Sequence, residues 1–171
     1  DRLENLEGKH ELVENVSQFQ KIWNTALQAR KGKRNRKHRL EPCFDLLVGG
    51  SGLGKSKVMR AFANQARSSV YMVRLDKAMR YRLLLEKIAI EMGVIPQDKK
   101  NSLHLKTTIL RSEQIMYKIL NKLKSYSSHH NYLYPVLVID EAEEIPAGTL
   151  RRIKNFHTAT EGLISIIICG M

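Results

Sequence analysis

Residues 49–56 constrain the fold of this chain more than any other segment. They read Gly-Gly-Ser-Gly-Leu-Gly-Lys-Ser and match the pattern G-x-x-x-x-G-K-[ST] at every fixed position. An apolar run, Phe44–Val48, stands directly before them, and a helical pattern over Lys55–Ala66 begins within them. Glycines let such a turn curl, and the helix that follows offers its first N–H groups to an anion. The segment therefore predicts a phosphate-binding loop between a buried strand and a helix.

The residue types in this loop predict a nucleoside triphosphate site that works with Mg²⁺. The curled backbone cradles phosphate oxygens, Lys55 reaches the β- and γ-phosphates, and the Ser56 hydroxyl is a ligand of the metal ion. Lys55 is also a candidate catalytic residue, because its charge stabilises the phosphoryl group during transfer. The candidate nucleotide-binding residues are Gly49, Gly50, Ser51, Gly52, Leu53, Gly54, Lys55, Ser56 and Lys57.

A second chemical element follows the apolar run Val136–Ile139. The next two residues are Asp140 and Glu141. Ligands of open α/β sheets bind at the carboxyl ends of the strands, which is where these two carboxylates are expected. Asp140 is the candidate Mg²⁺ ligand, and Glu141 is the candidate catalytic base that orients and activates the attacking water.

Strand-like and helix-like segments alternate along the chain, which predicts an α/β fold of the P-loop NTPase type. The strands are continuously apolar, as expected for a parallel sheet with helices on both faces, a three-layer sandwich. An additional strand stands between the phosphate loop and Asp140. The predicted strands are Phe44–Val48, Val70–Leu75, Val136–Ile139 and Ile164–Cys169, and the predicted helices are 8–29, Lys55–Ala66, Arg80–Met92, Leu103–Tyr126 and Leu150–Thr160.

Composition agrees with a globular domain and excludes a membrane-spanning one. Apolar residues make up 43% of the 171 residues, and no apolar run reaches the length of a membrane helix. We therefore expect a cytoplasmic protein that makes no membrane contact. Cys43 and Cys169 are far apart and lack metal-ligand spacing, so they are expected to be buried reduced thiols.

The formal net charge is +12, and seven basic residues lie between Arg30 and Arg39. Like charges at this density disfavour a helix, so we expect a loop or linker there. The predicted organisation is an N-terminal helical segment over residues 1–29, a basic linker over 30–42 and a nucleotide-binding core over 43–171. The chain begins without Met and ends directly after an apolar run, so we expect a fragment.

From Phe44 to Met171 the sequence resembles the AAA+ ATPases that accompany DDE transposases, namely the B protein of phage Mu and the related TniB and IstB proteins. The likeness lies in LVGGSGLGKS at Leu47–Ser56, the helix LLLEKIAIEMG at Leu83–Gly93, VLVIDEAEEI at Val136–Ile145 and LRRIKNFHTATEG at Leu150–Gly162. The resemblance implies an ATPase of the additional-strand, catalytic-glutamate class. It implies ATP as the nucleotide and a homo-oligomer with an arginine finger supplied by the neighbouring subunit. It also implies that the sensor residues and the lid follow Met171.

The same resemblance implies a transposase partner and sequence-independent binding to double-stranded DNA. Basic side chains suit this binding because they release counterions from phosphates. No aromatic residues are interleaved among them, so contacts to phosphates rather than bases are expected. The candidate DNA-contacting residues are Lys31, Lys33, Arg34, Arg36, Lys37, Lys77, Arg80, Arg82, Arg151 and Arg152.

Two other functions fit the motifs. The first is an ATPase of a secretion or conjugation system, or a signalling switch that oligomerises with nucleotide and does not bind DNA. The second is a phosphotransferase, which needs a lid with several arginines, and Arg151 and Arg152 leave that possibility open. A solvated surface charge is the alternative for each candidate DNA residue, and a flexible solvated linker is the alternative for the basic run.

Overall fold

Four parallel strands form the central sheet of this computed structural model. Residues 4–35, 37, 39–49, 54–66, 69–75, 79–96, 110–129, 133–160 and 162–170 are described, with side chains except at 4–16, 129 and 144. The elements are α1 (Glu4–Lys31), β1 (Lys33–Arg34), β2 (Leu40–Glu41), β3 (Phe44–Val48), α2 (Lys55–Gln65), β4 (Val70–Arg74), α3 (Tyr81–Glu91), α4 (Ser112–His129), β5 (Val136–Asp140), a 3₁₀ turn (Ala142–Glu144), α5 (Ala147–Ala159) and β6 (Ser165–Gly170).

The strand order in the sheet is β3-β6-β5-β4, and every neighbouring pair is parallel. The strand β6 therefore lies between β3, which precedes the glycine-rich loop, and β5, which ends at Asp140. The additional strand that precedes Asp140 in the sequence is β4, which lies on the far side of β5, whereas the strand between β3 and β5 in the sheet is β6. A further strand between β3 and β5 agrees with the additional-strand class. The strand order also places the phosphate loop and the carboxylates two strands apart, both at the side of the sheet where the strands end. We call this side the carboxyl edge and the opposite side the amino edge.

Helices cover both faces of the sheet and bury two apolar clusters, so the predicted three-layer α/β sandwich is confirmed. On one face, α1 and α2 pack over Val136, Val138 and Ile167. On the other face, α3, α4 and α5 pack over Leu137, Ile139 and their neighbours. The strand β5 is buried on both faces, since all five of its residues are buried. A continuously apolar strand is the sequence signature of that position.

Trp23 of α1 joins the N-terminal helix to the core. Its ring meets Phe62 of α2 edge-on at 5.1 Å between centroids, and Phe19 stacks on it at 5.7 Å. At the end of the same helix, the buried Ser165 hydroxyl donates to the carbonyl of Ala29 and accepts from the backbone N–H of Cys43. The two cysteines are buried and reduced, as expected. The helix α1 is therefore part of one packed unit with the sheet.

The basic segment contains a short antiparallel ribbon rather than the loop expected from its charge. The strands β1 and β2 pair Lys33 with Glu41 and Arg34 with Leu40. Outward-facing charges do not crowd each other in a ribbon as they do in a helix. We call residues 33–41 the basic ribbon; residues 36 and 38 lie outside the described part of the chain.

Gly32 allows the chain to turn from α1 into this ribbon, and the turn gives a stability prediction. Its φ is +75°, and an added Cβ would lie 2.6 Å from Cε2 of Tyr134 and 2.7 Å from the carbonyl oxygen of Glu41. Gly32→Ala is therefore expected to lower the free energy of unfolding by about 2 kcal/mol or more, measured by urea denaturation. Gly148→Ala is the matched control, since a Cβ there meets nothing within 4 Å. Equal stability of the two variants would contradict the packing described here.

Three details of the predicted elements are wrong. The strand β3 was expected to be buried, but it lies at a sheet edge, and Leu46 and Val48 are 65% and 60% exposed. The long helix was expected from Leu103, but Leu110 and Arg111 are not helical and α4 begins at Ser112. The Gln114 side chain accepts from the backbone N–H of Arg111, which is one half of a capping box at the start of the helix. Residues 103–109 lie outside the described part. The helix was expected to end at Tyr126, but residues 127–129 are also helical and α4 ends at His129.

Within the described residues, none of the helices has the length and apolar character needed to cross a bilayer.

Candidate functional site: the carboxyl edge of the sheet

The helix α2 begins at Lys55, directly after Gly54. Gly54 has φ +78°, the left-handed region that glycine adopts without strain, and an added Cβ would meet nothing within 4 Å. The residue is therefore required by the backbone turn and not by crowding. Gly49, Gly54, Lys55, Ser56 and Lys57 are described, whereas the predicted cofactor-binding residues Gly50, Ser51, Gly52 and Leu53 lie outside the described residues.

The Lys55 side chain folds back toward the start of the glycine-rich segment. Its ammonium donates to the carbonyl oxygen of Gly49 at 2.5 Å. The N–H of Gly49 in turn donates to the carbonyl of Gly170 at the end of β6. The ammonium, the first turn of α2 and the carboxyl end of β6 are thus held next to one another. An anion placed there would meet a positive charge and the N–H groups of a helix start together.

Cys169 links this region to Asp140. Burial raises the pKa of the Cys169 thiol to about 12, the Asp140 carboxylate adds to the rise, and the Lys55 ammonium opposes it. The strand register gives the geometry, since Ile139 pairs with Ile168 and Asp140 and Cys169 follow them, while Gly49, the acceptor for Lys55, bonds to Gly170. Asp140 is 4% exposed and ends β5, and its backbone carbonyl accepts from the N–H of Leu75. The structure therefore brings two sequence-predicted residues from distant segments to one site.

The donor set fits a hydrated Mg²⁺ ion bound with phosphates. Mg²⁺ prefers oxygen ligands and usually takes one or two from protein, with substrate phosphates and water supplying the others. The Ser56 hydroxyl, on the first turn of α2, and the buried Asp140 carboxylate are such oxygens. In the described ranges no group of three or more His, Cys, Asp or Glu side chains gathers that could hold a metal ion alone. Two protein oxygens of this kind would leave the other positions around a metal ion to phosphates and water.

Glu141, the candidate base, lies on the other flank of β5. Arg74, the last residue of β4, donates to Glu141 from Nε to Oε2 at 2.7 Å, and its second guanidinium nitrogen lies 2.5 Å from Oε1. The strand β4 is on the side of β5 opposite β6 and the glycine-rich loop. Glu141 is therefore next to the predicted metal ligand in sequence, but its carboxylate is held toward β4.

Two charged residues at this edge were not anticipated from the sequence. Arg74 pairs with Asp140 in the register of β4 and β5. In the sequence, its place at the end of a predicted strand was the only sign that it belongs to this edge. Glu143 lies in the 3₁₀ turn, and its Oε2 is 3.3 Å from where a Cβ on Gly170 would stand. Because Gly170 ends β6, the Glu143 carboxylate lies on the β6 side of Asp140. Glu141 and Glu143 thus flank Asp140 on opposite sides.

The predicted DNA-contacting residues fall into two separate groups. Those of the basic ribbon and the end of α1 lie at the amino edge of the sheet, since Tyr134, just before β5, bonds to the backbone of Arg30 and Leu40. Those at the start of α3 and in α5 lie at the carboxyl edge, and Arg152 stands over the Tyr81 ring at 5.6 Å. A five-residue strand spans about 17 Å, which separates the groups. The amino-edge group is Lys31, Lys33, Arg34 and Lys37, and the carboxyl-edge group is Arg80, Arg82, Arg151 and Arg152. Arg36 and Lys77 lie outside the described residues.

A parallel sheet of this order, with a glycine turn, a lysine and a strand-end aspartate at one edge, defines a P-loop NTPase. The comparison with protein-family models agrees and is more specific, since an AAA domain model matches residues 42–171. The match covers well over half of the chain, which therefore belongs to the AAA family of P-loop ATPases. No curated protein matches the chain. AAA domains bind nucleotide, typically with Mg²⁺, which agrees with the chemistry of this edge.

Proposed function

We propose that this chain binds ATP with Mg²⁺ and hydrolyses it at the carboxyl edge of the sheet. The observation that supports this most is the placement of Asp140 and of the Lys55–Gly49 hydrogen bond on either side of the end of β6. Lys55 binds the β- and γ-phosphates, and Ser56 and Asp140 hold the metal ion. When bound, Mg²⁺ neutralises charge on the phosphate oxygens. Glu141 accepts the proton of the attacking water.

Release of inorganic phosphate from ATP tests this proposal. Hydrolysis that requires Mg²⁺, stops with a chelator and needs no acceptor substrate is expected. Phosphate transfer to a second substrate without release would instead support the phosphotransferase. Parallel measurements with GTP determine whether the site prefers adenine or guanine. The described residues at this edge are proposed to bind the phosphates and the metal ion, so they do not select the nucleobase.

We further propose that the ATPase acts on double-stranded DNA as a homo-oligomer and assists a transposase. The sequence likeness to transposition ATPases supports this, together with the exposure of the basic ribbon. Lys31, Arg34, Lys37 and Arg39 are all solvent-accessible. Lys33 is already engaged, because its hydrogen bond to Asp45 raises the pKa of its ammonium and holds it at the sheet. The remaining cations of the ribbon are the ones expected to contact phosphates.

Neutralising the amino-edge group gives a measurable prediction for DNA binding. Replacing Lys31, Arg34, Lys37 and Arg39 with glutamine is expected to weaken duplex binding. The slope of log affinity against log salt should become shallower by about 0.9 for each DNA phosphate that the protein no longer neutralises. Lys33 is left unchanged so that its bond to Asp45 survives. Gel shifts with and without a non-hydrolysable ATP analogue provide the measurement.

The matched control for this experiment carries glutamine in place of Arg80, Arg82, Arg151 and Arg152. It removes the same number of charges from the opposite edge of the sheet. Weaker binding in the first variant alone assigns DNA to the amino edge, and weaker binding in the second alone assigns it to the nucleotide edge. Unchanged affinity in both variants would reject DNA binding through these residues and favour the DNA-independent switch.

A further inference from the structure

A groove of about 420 Å³ opens between the amino-terminal halves of α3 and α4. Its lining is mainly apolar, with Tyr81 and Leu85 from α3 and Met116, Tyr117 and Leu120 from α4. Tyr117 is 65% exposed, so solvent reaches this lining. Tyr81 and Leu85 are four residues apart, so they lie on one side of α3, and the same spacing holds on α4. An apolar groove of this kind suits the apolar side of another helix. We call it the α3–α4 groove.

Three arginines lie around the α3–α4 groove. Arg152 of α5 stands over the ring of Tyr81 at 5.6 Å. Arg82, next to Tyr81, donates from Nη2 to the carbonyl of Leu110 at 3.3 Å, and the exposed Arg111 follows directly. Positive charge from three separate segments of the chain therefore gathers at the start of the groove.

Acidic side chains offset only part of this charge. Glu113 lines the groove in the first turn of α4, and Glu86 pairs with Arg82 at 3.0 Å. The first turns of α3 and α4 add the partial positive charge of their unpaired N–H groups. Among the described residues, the start of the groove is therefore positive, and it favours an acidic partner.

The amino-terminal part of α1 has the opposite charge. Residues 4–16 contain four glutamates and one lysine, within a chain whose formal net charge is +12. The glutamates recur at spacings of three and four, which places their positions on one side of a helix. They are Glu4, Glu7, Glu11 and Glu14, and apolar positions fall on the other side at Leu6, Val13 and Val16. We call residues 4–16 the acidic half of α1; it is an amphipathic helix of about 20 Å.

The acidic half of α1 cannot reach the groove of its own chain. The later turns of α1 pack beside α2 on one face of the sheet, where Ile22 and Ala26 are buried. The groove lies on the other face, which α3, α4 and α5 cover. Since α1 is one continuous helix to Lys31, the sheet separates its acidic half from that groove. Phe19 and Gln20 are exposed, so α1 leaves the core before the acidic half. The groove that it fits is therefore that of another copy.

We propose that the acidic half of α1 docks in the α3–α4 groove of a second copy of this chain. The inference rests on the homo-oligomer proposed above and supplies a contact for it. The apolar positions of the helix cover the groove lining, and its glutamates lie within about 10 Å of the arginines, the distance over which charges act at about 0.1 M salt. Because the two surfaces differ, each copy offers one helix and one groove, and repetition of the contact builds a ring or a filament.

Exchanging the charges in the full chain tests this contact. One variant carries Glu7→Lys and Glu14→Lys in the acidic half, and the other carries Arg111→Glu and Arg152→Glu at the groove. Each variant alone is expected to need at least about tenfold more protein to assemble than the parent, which corresponds to about 1.4 kcal/mol. An equimolar mixture of the two should assemble like the parent, since each reversed helix then meets a reversed groove and each native helix a native groove. Sedimentation velocity without DNA, with and without a non-hydrolysable ATP analogue, measures the mass.

Lys118→Glu with Lys122→Glu is the matched control for the groove variant. Both lysines are exposed on α4 and outside the groove lining, and the change in charge is the same. This control should assemble like the parent. Equal weakening of assembly in the control and in the groove variant, or a mixture of the two charge-reversed variants that stays monomeric, would overturn the inference.

Two further outcomes separate the docking contact from the proposed function. If the parent assembles and both charge-reversed variants assemble equally well, the contact lies elsewhere, and the inference is wrong while the homo-oligomer stands. A parent protein that stays monomeric with and without the ATP analogue overturns both the inference and the homo-oligomer. Phosphate release from ATP in the same preparations decides the ATPase independently, because Lys55 and Asp140 are unchanged in every variant.

Discussion

Lys55→Ala is expected to weaken ATP binding by at least about 100-fold. Among the described residues, its ammonium is the positive group that the structure holds against the start of the glycine-rich segment, through the bond to Gly49. Removing it abolishes charge-assisted hydrogen bonds to two phosphates, each of which contributes about 1.5–3 kcal/mol. Titration calorimetry or a fluorescent ATP analogue measures the affinity. Because the residue is half-buried at a helix start, thermal unfolding should confirm that the variant is folded.

Arg60→Ala is the matched control for this substitution. Arg60 lies on the same helix, α2, and is exposed. The substitution removes an equal charge from the domain without touching the carboxyl edge of the sheet. Its affinity for ATP should stay within about threefold of the parent value, as expected for a screened surface charge. If both variants bind ATP equally weakly, general electrostatic attraction and not a specific lysine contact would account for binding.

The sequence predicted those parts of the fold that depend on local pattern. The glycine-rich motif predicted the start of α2 at Lys55, and the apolar pattern predicted α3 up to Met92, its C-terminal cap. Four apolar runs predicted four parallel strands. These features are encoded within a few residues, so they are visible without knowledge of the tertiary contacts.

Features that depend on partners distant in sequence could not be predicted. The run Phe44–Val48 resembles the apolar run of β5, yet only β6 pairs with it among the described strands, so alternate residues stay exposed. The salt bridge of Arg74 and Glu141 joins residues 67 positions apart. The sequence identified Glu141 as an acid after a strand but gave no direction for its side chain. The sheet order and the positive φ of Glu141 set that direction.

The start of α4 depends on a contact that the sequence does not mark, since Arg111 is not one of the residue types that cap helices. Gln114 stands three residues after Arg111, the spacing at which a side chain caps the residue that precedes a helix. The apolar periodicity that continues through Leu105 and Ile109 favours an earlier start. Periodicity reports which face is apolar and does not fix where a helix begins.

Glu141→Gln is expected to lower kcat by about 10²- to 10⁴-fold while ATP affinity changes by less than about threefold. Glutamine has the size of glutamate and can still accept a hydrogen bond from Arg74, but it cannot take a proton from water. Binding is retained because Lys55, Ser56 and Asp140 are untouched. Phosphate release at saturating ATP measures the first effect, and equilibrium titration measures the second. A Glu141→Gln protein that hydrolyses ATP at the parent rate would exclude Glu141 as the base.

Glu143→Gln is the variant to compare with Glu141→Gln, because the two glutamates flank Asp140 on opposite sides. Glu143 lies beside Gly170 on the side of the glycine-rich loop, whereas Glu141 is held by Arg74 on the side of β4. If Glu141 is the base and moves to reach the water, its substitution alone reduces kcat by orders of magnitude. If Glu143→Gln reduces kcat and Glu141→Gln does not, the base is Glu143, and the Arg74 pair is a surface contact without a part in hydrolysis. Each substitution removes one negative charge, and the two positions are two residues apart. A difference between their kcat values therefore reports where each carboxylate lies.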